Sequence, residues 1–417
     1  MSEEAGRTVR AAMAALAWFV GVCFPVLAVN YALGGGGGGL LQVLGAAHVD
    51  AAALYMLLCG WLAAATEAQP PRTVLRAVLP DTALSGALHL VLQAVHGTAS
   101  ACDWANVALA PLLLSAFTDM REANVLRGPS ETAWLVHAQT LLVLASGSIC
   151  VRLRGATLSS ALRTVLFAWM ASAVHVYVAY VHPQLVTTAA RNVVTCASMF
   201  SVGALVGLLS VGAFEWGTSA REWLAAVPVR VGYTAAAAVA MVYLLHLSEA
   251  PSTAGVCVSV FGGAPCLWPT DAFNGRLLPL FVLALAWVTG PAEPWLGGPL
   301  GAPLSDSLQH VSTALAACVD DGHVKTWLLY GGLFALALHA PVAAVAGSAR
   351  FTCLWVPIEL AFVTLLTGVV RAATEARLAA AFDYAWPVAL TQYQVAEEST
   401  RFVIDDDDAP NKPAAGI

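Results

Sequence analysis

The chain reads as a series of long, unbroken apolar runs separated by short polar connections. Eleven such runs occur, at roughly 11–33, 47–65, 76–96, 99–117, 133–151, 164–185, 193–214, 229–247, 276–290, 326–347 and 351–371. Most are close to the ~20 residues that an α-helix needs to cross a hydrocarbon layer of about 30 Å. A strand buried on one face would alternate apolar and polar positions, and these runs do not, so they predict helices rather than a barrel. Two are weaker as spans: 276–290 is short, and 99–117 contains Asp103 and Asn106. The expected fold is therefore all-α, a polytopic transmembrane bundle of ten to twelve spans.

The pattern divides the chain into four parts. Residues 1–10 form a short polar tail carrying Arg7 and Arg10, and 11–371 hold the transmembrane helices. The first run is long for a signal peptide and lacks a clear small-residue cleavage site, so it reads as a retained signal anchor. The glycines from Gly35 to Gly39 end it with permissive backbone. After Arg371 the pattern changes: 372–395 suits an interfacial helix, with Arg377, Asp383 and Trp386 among small apolar residues. Residues 396–417 include Asp405–Asp408 without apolar periodicity and read as a disordered acidic tail.

Composition strengthens this picture. The chain is 59% hydrophobic and 11% charged, with a mean hydropathy of +0.73. A soluble domain carries about a quarter charged residues. The net charge of −7 comes largely from loops and tail, and no basic patch points to nucleic acid. Lys325 and Lys412 are the two lysines, so arginine carries the positive charge. Abundant alanine and glycine fit a GC-rich coding sequence.

Arginine placement bears on orientation, because Arg and Lys in short flanking loops stay cytoplasmic. Arg7 and Arg10 favour a cytoplasmic N-terminus, and Arg152, Arg154 and Arg163 favour a cytoplasmic loop. With five candidate spans between these signals, both cannot hold. If the Arg152–Arg163 loop is inside and all later spans hold, the loop with Cys257 and Cys266 faces the lumen or exterior, where a disulfide is chemically permitted.

Charges within lipid are costly, ~2.5–3.5 kcal/mol on insertion scales, and so mark candidate sites. Asp50, Asp81, Asp103 and Arg191 lie near predicted helix ends. Glu359 lies about midway along its run, two residues after Pro357. It can be a substrate or proton site at a helix break, or a hydrogen-bonded glutamate buried between helices. The latter is the commoner case. His175 and His339 sit in apolar runs as further path candidates, although core packing is the simpler reading. His175 and His182 share a helix face seven residues apart, but no second helix repeats that spacing, so no haem, metal or other cofactor is expected. Gly203 and Gly207 form a GxxxG pattern, which permits close helix approach and fits packing within the monomer better than dimerisation. No nucleotide-binding loop, zinc-protease helix or nucleophile elbow occurs, so the chain gives no positive case for an enzyme.

Two resemblances add expectations. The segment Pro269–Pro279, with Asp271, Gly275 and Arg276, resembles the Asp–Gly–Arg signature opening a late helix of equilibrative nucleoside transporters. That family implies about eleven spans in a major-facilitator-like two-bundle fold, with Asp271 and Arg276 near a nucleoside ribose. Here three residues separate Asp271 from Gly275, where the family has two. One added residue rotates a helix position by ~100°, and the family's long central loop is missing. The whole chain is also similar to the multi-spanning envelope proteins of herpesviruses, one group of which is distantly similar to nucleoside transporters in fold. That resemblance implies a non-catalytic protein of the virion envelope and host membranes, embedded in lipid, whose acidic tail meets other envelope or tegument proteins. The alternative is a facilitator of a small polar solute such as a nucleoside, with Asp271, Arg276, Glu359, His175 and His339 along its path.

Overall fold

The computed structural model describes residues 3–33, 38–66, 69–95, 112–113, 133–154, 157–181, 193–210, 321–346 and 352–385. Among these residues the structure is helical throughout, with no strand. The helices are α1 (Glu3–Trp18), α2 (Phe24–Leu33), α3 (Gly38–Ala65), α4 (Pro71–Val95), α5 (Ala133–Arg154), α6 (Leu158–Val181), α7 (Val193–Ser210), α8 (Asp321–Ala346) and α9 (Thr352–Ala385). A π-helical turn, Phe19–Cys23, joins α1 to α2 without a break. Eight of the eleven expected runs coincide with these helices. The runs at 229–247 and 276–290, and 99–117 apart from residues 112–113, lie outside the described residues, as does the acidic tail.

Among the described residues three helical stretches are long and apolar enough to cross a membrane: Val9–Asn30, Pro71–Val95 and Trp355–Ala385. Two helices extend past their apolar runs. Helix begins at Glu3, so the polar tail is already its first two turns. The change of pattern at Arg371 does not end α9, which runs on to Ala385. Alanine, leucine and arginine there are good helix formers, and no Pro or Gly interrupts them.

One apolar core gathers α1 to α5 and α7 to α9. Tyr55, Met56, Leu57, Phe200, Leu328 and Tyr330 are fully buried in it. Two glycine-lined crossings bring backbones together. At the first, α3 meets α7: a Cβ on Gly203 would lie 1.8 Å from the Leu57 carbonyl oxygen, and one on Gly60 would lie 2.0 Å from that of Phe200. Gly207 faces Trp61 in the same way, so Gly203 and Gly207 pack within the monomer. At the second crossing, Gly21 of the π turn lies against Trp327 of α8, and Gly331 lies against Gly21. Only glycine permits such approach, since any side chain would meet backbone.

The outer faces are apolar. On α9, Ile358, Phe362, Leu365 and Val369 are exposed at helical spacing, while Glu359, Val363 and Thr367 point inward. Leu88, Val91 and Val95 of α4 and Leu162, Leu166, Phe167 and Met170 of α6 are likewise exposed.

Candidate functional site

Two polar clusters lie inside the bundle, each beside a proline in a helix. Pro80 sits in α4, where it cannot donate to the Arg76 carbonyl. One residue on, Asp81 turns inward and forms an ion pair with Lys325 of α8. The Lys325 ammonium also donates to the Ala77 carbonyl. The Tyr330 hydroxyl donates to the Asp81 carbonyl at 3.0 Å and lies 3.3 Å from its Oδ1. The Ser85 hydroxyl donates to the Leu329 carbonyl at 3.0 Å. Side-chain exposure is 16% for Lys325 and 11% for Asp81, so the pair is shielded from solvent. Neutralising a charge in this way is what makes it tolerable in a low-dielectric interior.

The second cluster lies where α9 passes α2. Pro357 leaves the Cys353 carbonyl without its helical donor, yet α9 continues through it. Glu359 is 2% exposed. The Asn30 amide donates to its Oε2 at 2.7 Å and to the Val26 carbonyl at 2.8 Å. Among the described residues Glu359 Oε1 has no hydrogen-bond partner, and neither has the Trp355 indole nitrogen. Residues four apart share a helix face, so α9 carries an unused donor one turn before the unused acceptor of the carboxylate that Asn30 holds.

The π turn makes this contact possible. Trp18 donates to Thr364 at 3.0 Å and Asn30 to Glu359, both on α9. Twelve residues of plain α-helix would set Trp18 and Asn30 ~120° apart. One residue absorbed by the π turn returns ~100°, which brings both onto the face toward α9.

A third group of charges lies at the end of the bundle where α4 starts and α9 finishes, with Arg76, Asp383 and Glu375 open to solvent and Arg371 largely covered. Arg72 and Arg76 both reach Asp383, at 3.3 and 2.6 Å. Arg371 contacts His323 Nε2 at 2.8 Å and pairs with Glu375 at 3.2 Å. Exposed pairs of this kind contribute little. Asp383→Ala is therefore expected to lower stability by less than ~1 kcal/mol, read as a nearly unchanged melting curve in detergent.

Of the path candidates named by the sequence, Glu359, His175 and His339 fall within the described residues. Glu359 is in the second cluster. His175 lies on α6 and His339 on α8. Asp271, Arg276, Cys257 and Cys266 fall outside the described residues. Asn30 and Lys325 are the partners that sequence reasoning did not connect, and it did not single out Trp355. The available signal for Lys325 was its rarity, since a chain with two lysines that places one beside an apolar run has a reason to keep it. Asn30 and Trp355 had no comparable signal. Among the described residues no group of three or more His, Cys, Asp or Glu side chains is placed to hold a metal ion. No protein-family model, no curated protein and no solved structure matches the chain.

Proposed function

We propose that the chain is a multi-spanning integral membrane protein of ten to twelve crossings with a structural or interaction role and no catalysis. One observation carries the membrane reading: α4, α6 and α9 turn large apolar side chains outward, while inside Asp81 is paired with Lys325 and Glu359 accepts from Asn30. Water penalises such a surface by about 25 cal/mol per Å² of apolar area, and lipid does not. The structural role is supported by the engagement of Asp81 and Glu359 with neighbours and by crossings that glycine holds at backbone distance. A herpesvirus envelope and its host membranes, with envelope or tegument proteins meeting the acidic tail, are the setting suggested by the resemblance of the whole chain. Resistance to alkaline carbonate extraction tests the membrane reading. Detection in purified virions tests the envelope role, and absence from both virions and infected-cell membranes would end it.

A second reading has its own support. The unused Glu359 oxygen and Trp355 nitrogen offer a solute bearing a hydroxyl both an acceptor and a donor. A facilitator of a nucleoside or similar solute would use them together with Asp271 and Arg276. Under this reading Glu359→Gln abolishes saturable uptake of labelled nucleosides into proteoliposomes, while the fold survives because a glutamine oxygen still accepts from Asn30. Absence of uptake by the folded, inserted wild type would reject the facilitator.

A further inference from the structure

We infer that one end of this bundle, marked by arginine, is its cytoplasmic face, resting at the anionic headgroups of that leaflet, and that the chain crosses an even number of times. This rests on the membrane reading above and adds orientation and parity to it.

Helix directions follow from contacts. Lys325 meets Asp81 and Ala77, while Leu329 meets Ser85 further along, so α4 and α8 run parallel. α9 runs against both, because Arg371 meets His323 and Asp383 meets Arg72 and Arg76. The rod of α1 and α2 also opposes α9, with Trp18 at Thr364 and Asn30 at Glu359. A short link, 66–70, reverses α3 into α4. α7 runs with α3, since Gly60 lies at Phe200 and Gly207 at Trp61. α5 finishes beside them, because Cys150 and Leu153 share a cluster with Ala64 and Leu208. α6 starts there after a link of three residues, 155–157.

One end therefore collects the starts of α1, α4, α6 and α8 and the finishes of α3, α5, α7 and α9. All ten arginines and lysines of the described residues lie in the half of their rod nearest this end. Arg7 and Arg10 open α1, Arg152 and Arg154 close α5, and Arg163 follows in α6. Arg72 and Arg76 open α4, Lys325 opens α8, and Arg371 and Arg377 lie late in α9. At the other end the connections 182–192 and 347–351 carry one arginine each, Arg191 and Arg350, and 96–132 carries Arg121 and Arg127. Arginines flanking short loops resist translocation and are attracted by the anionic cytoplasmic leaflet.

Parity comes from the same geometry. α4 finishes and α5 starts at the end opposite the arginines, so the chain between them returns to the side it left. α7 finishes and α8 starts at the arginine end, so that connection also returns. Each contributes no crossing or an even number, and α1 starts on the side where α9 finishes. A count of eleven therefore has one crossing too many. The parity leaves no room for a single crossing between α4 and α5, and once it is removed Arg7 and the Arg152–Arg163 loop lie on the same side.

The natural chain holds no Asn-x-Ser/Thr sequon, so glycosylation tags report cleanly. Sequon-bearing flexible tags inserted in the full-length chain within 34–37, just after Val95 and just before Ala133 are expected to be glycosylated. Tags within 67–69 and 155–156 are expected to remain unmodified, and protease-site tags there should be cleaved only after permeabilisation. The reverse pattern would overturn the orientation. Modification of only one of the two tags that flank 96–132 would overturn the parity. Release of the untagged protein by alkaline carbonate would instead defeat the membrane reading itself.

Discussion

Lys325→Met is expected to destabilise the bundle by about 3–5 kcal/mol, the usual cost of leaving one member of a buried ion pair alone. The lysine is the cation bonded to the Asp81 carboxylate and also satisfies the Ala77 carbonyl one turn before it. Removing it leaves a carboxylate between α4 and α8 with the Tyr330 hydroxyl beside it but no opposite charge. Melting of the detergent-solubilised protein, followed by loss of the monodisperse size-exclusion peak, reads the effect. The informative companion is Asp81→Asn combined with Lys325→Met. If the charge pair is the cause, the double variant recovers much of the loss, since replacing both charges is often neutral or better than keeping the pair. Equal losses in the single and double variants would mean that the lysine acts through packing or its bond to Ala77 instead.

The second large effect is expected at Gly203→Leu. A Cβ there would stand 1.8 Å from the Leu57 carbonyl oxygen, which belongs to the backbone of α3 and cannot rotate away. Ordinary overpacking costs about 1–3 kcal/mol because neighbouring side chains yield. Here two helix backbones must separate, and the facing Gly60 contact is lost with them. Gly203→Leu is therefore expected to fall outside that range and to abolish the folded peak. Gly368→Leu supplies the control, because nothing lies within 4 Å of a Cβ at that position on α9. The same substitution should leave melting unchanged there. Similar losses at both sites would show that the bundle tolerates no added volume anywhere, and that the α3–α7 crossing has no special role.

Much of the fold was legible because its driving pattern is one-dimensional. A helix in lipid must satisfy its own backbone and present apolar side chains over ~20 residues, and that length and composition are visible as runs. Helix α5 shows this well: a run expected at 133–151 is a helix from Ala133 to Arg154. Helix also extends beyond the apolar runs. Glu3–Arg10 is polar yet helical, and α9 passes Arg371 without a break, because polarity sets which medium a segment meets and not whether its backbone coils.

The candidate site was legible only in part. Glu359 stood out because a carboxylate inside an apolar run is costly wherever it points. Its partner did not stand out. Asn30 is distant in sequence by 329 residues, and it faces Glu359 only because the π turn at Phe19–Cys23 absorbs a residue and re-aims α2. No periodicity in the chain announces that turn. Asp81 was visible as a charge near a helix end and Lys325 as one of two lysines, but their pairing depends on α4 and α8 lying parallel and side by side.

The sequence by itself determined the element type and marked the stretches apolar enough to cross a membrane, since both follow from local composition. It also placed the charges that must be accounted for. Only the tertiary structure decided which charges neutralise one another, which glycines carry a crossing, and which helix ends share a side. Those are properties of pairs of segments far apart in the chain. They arise from the direction and rotation of packed helices, which no single run of residues encodes.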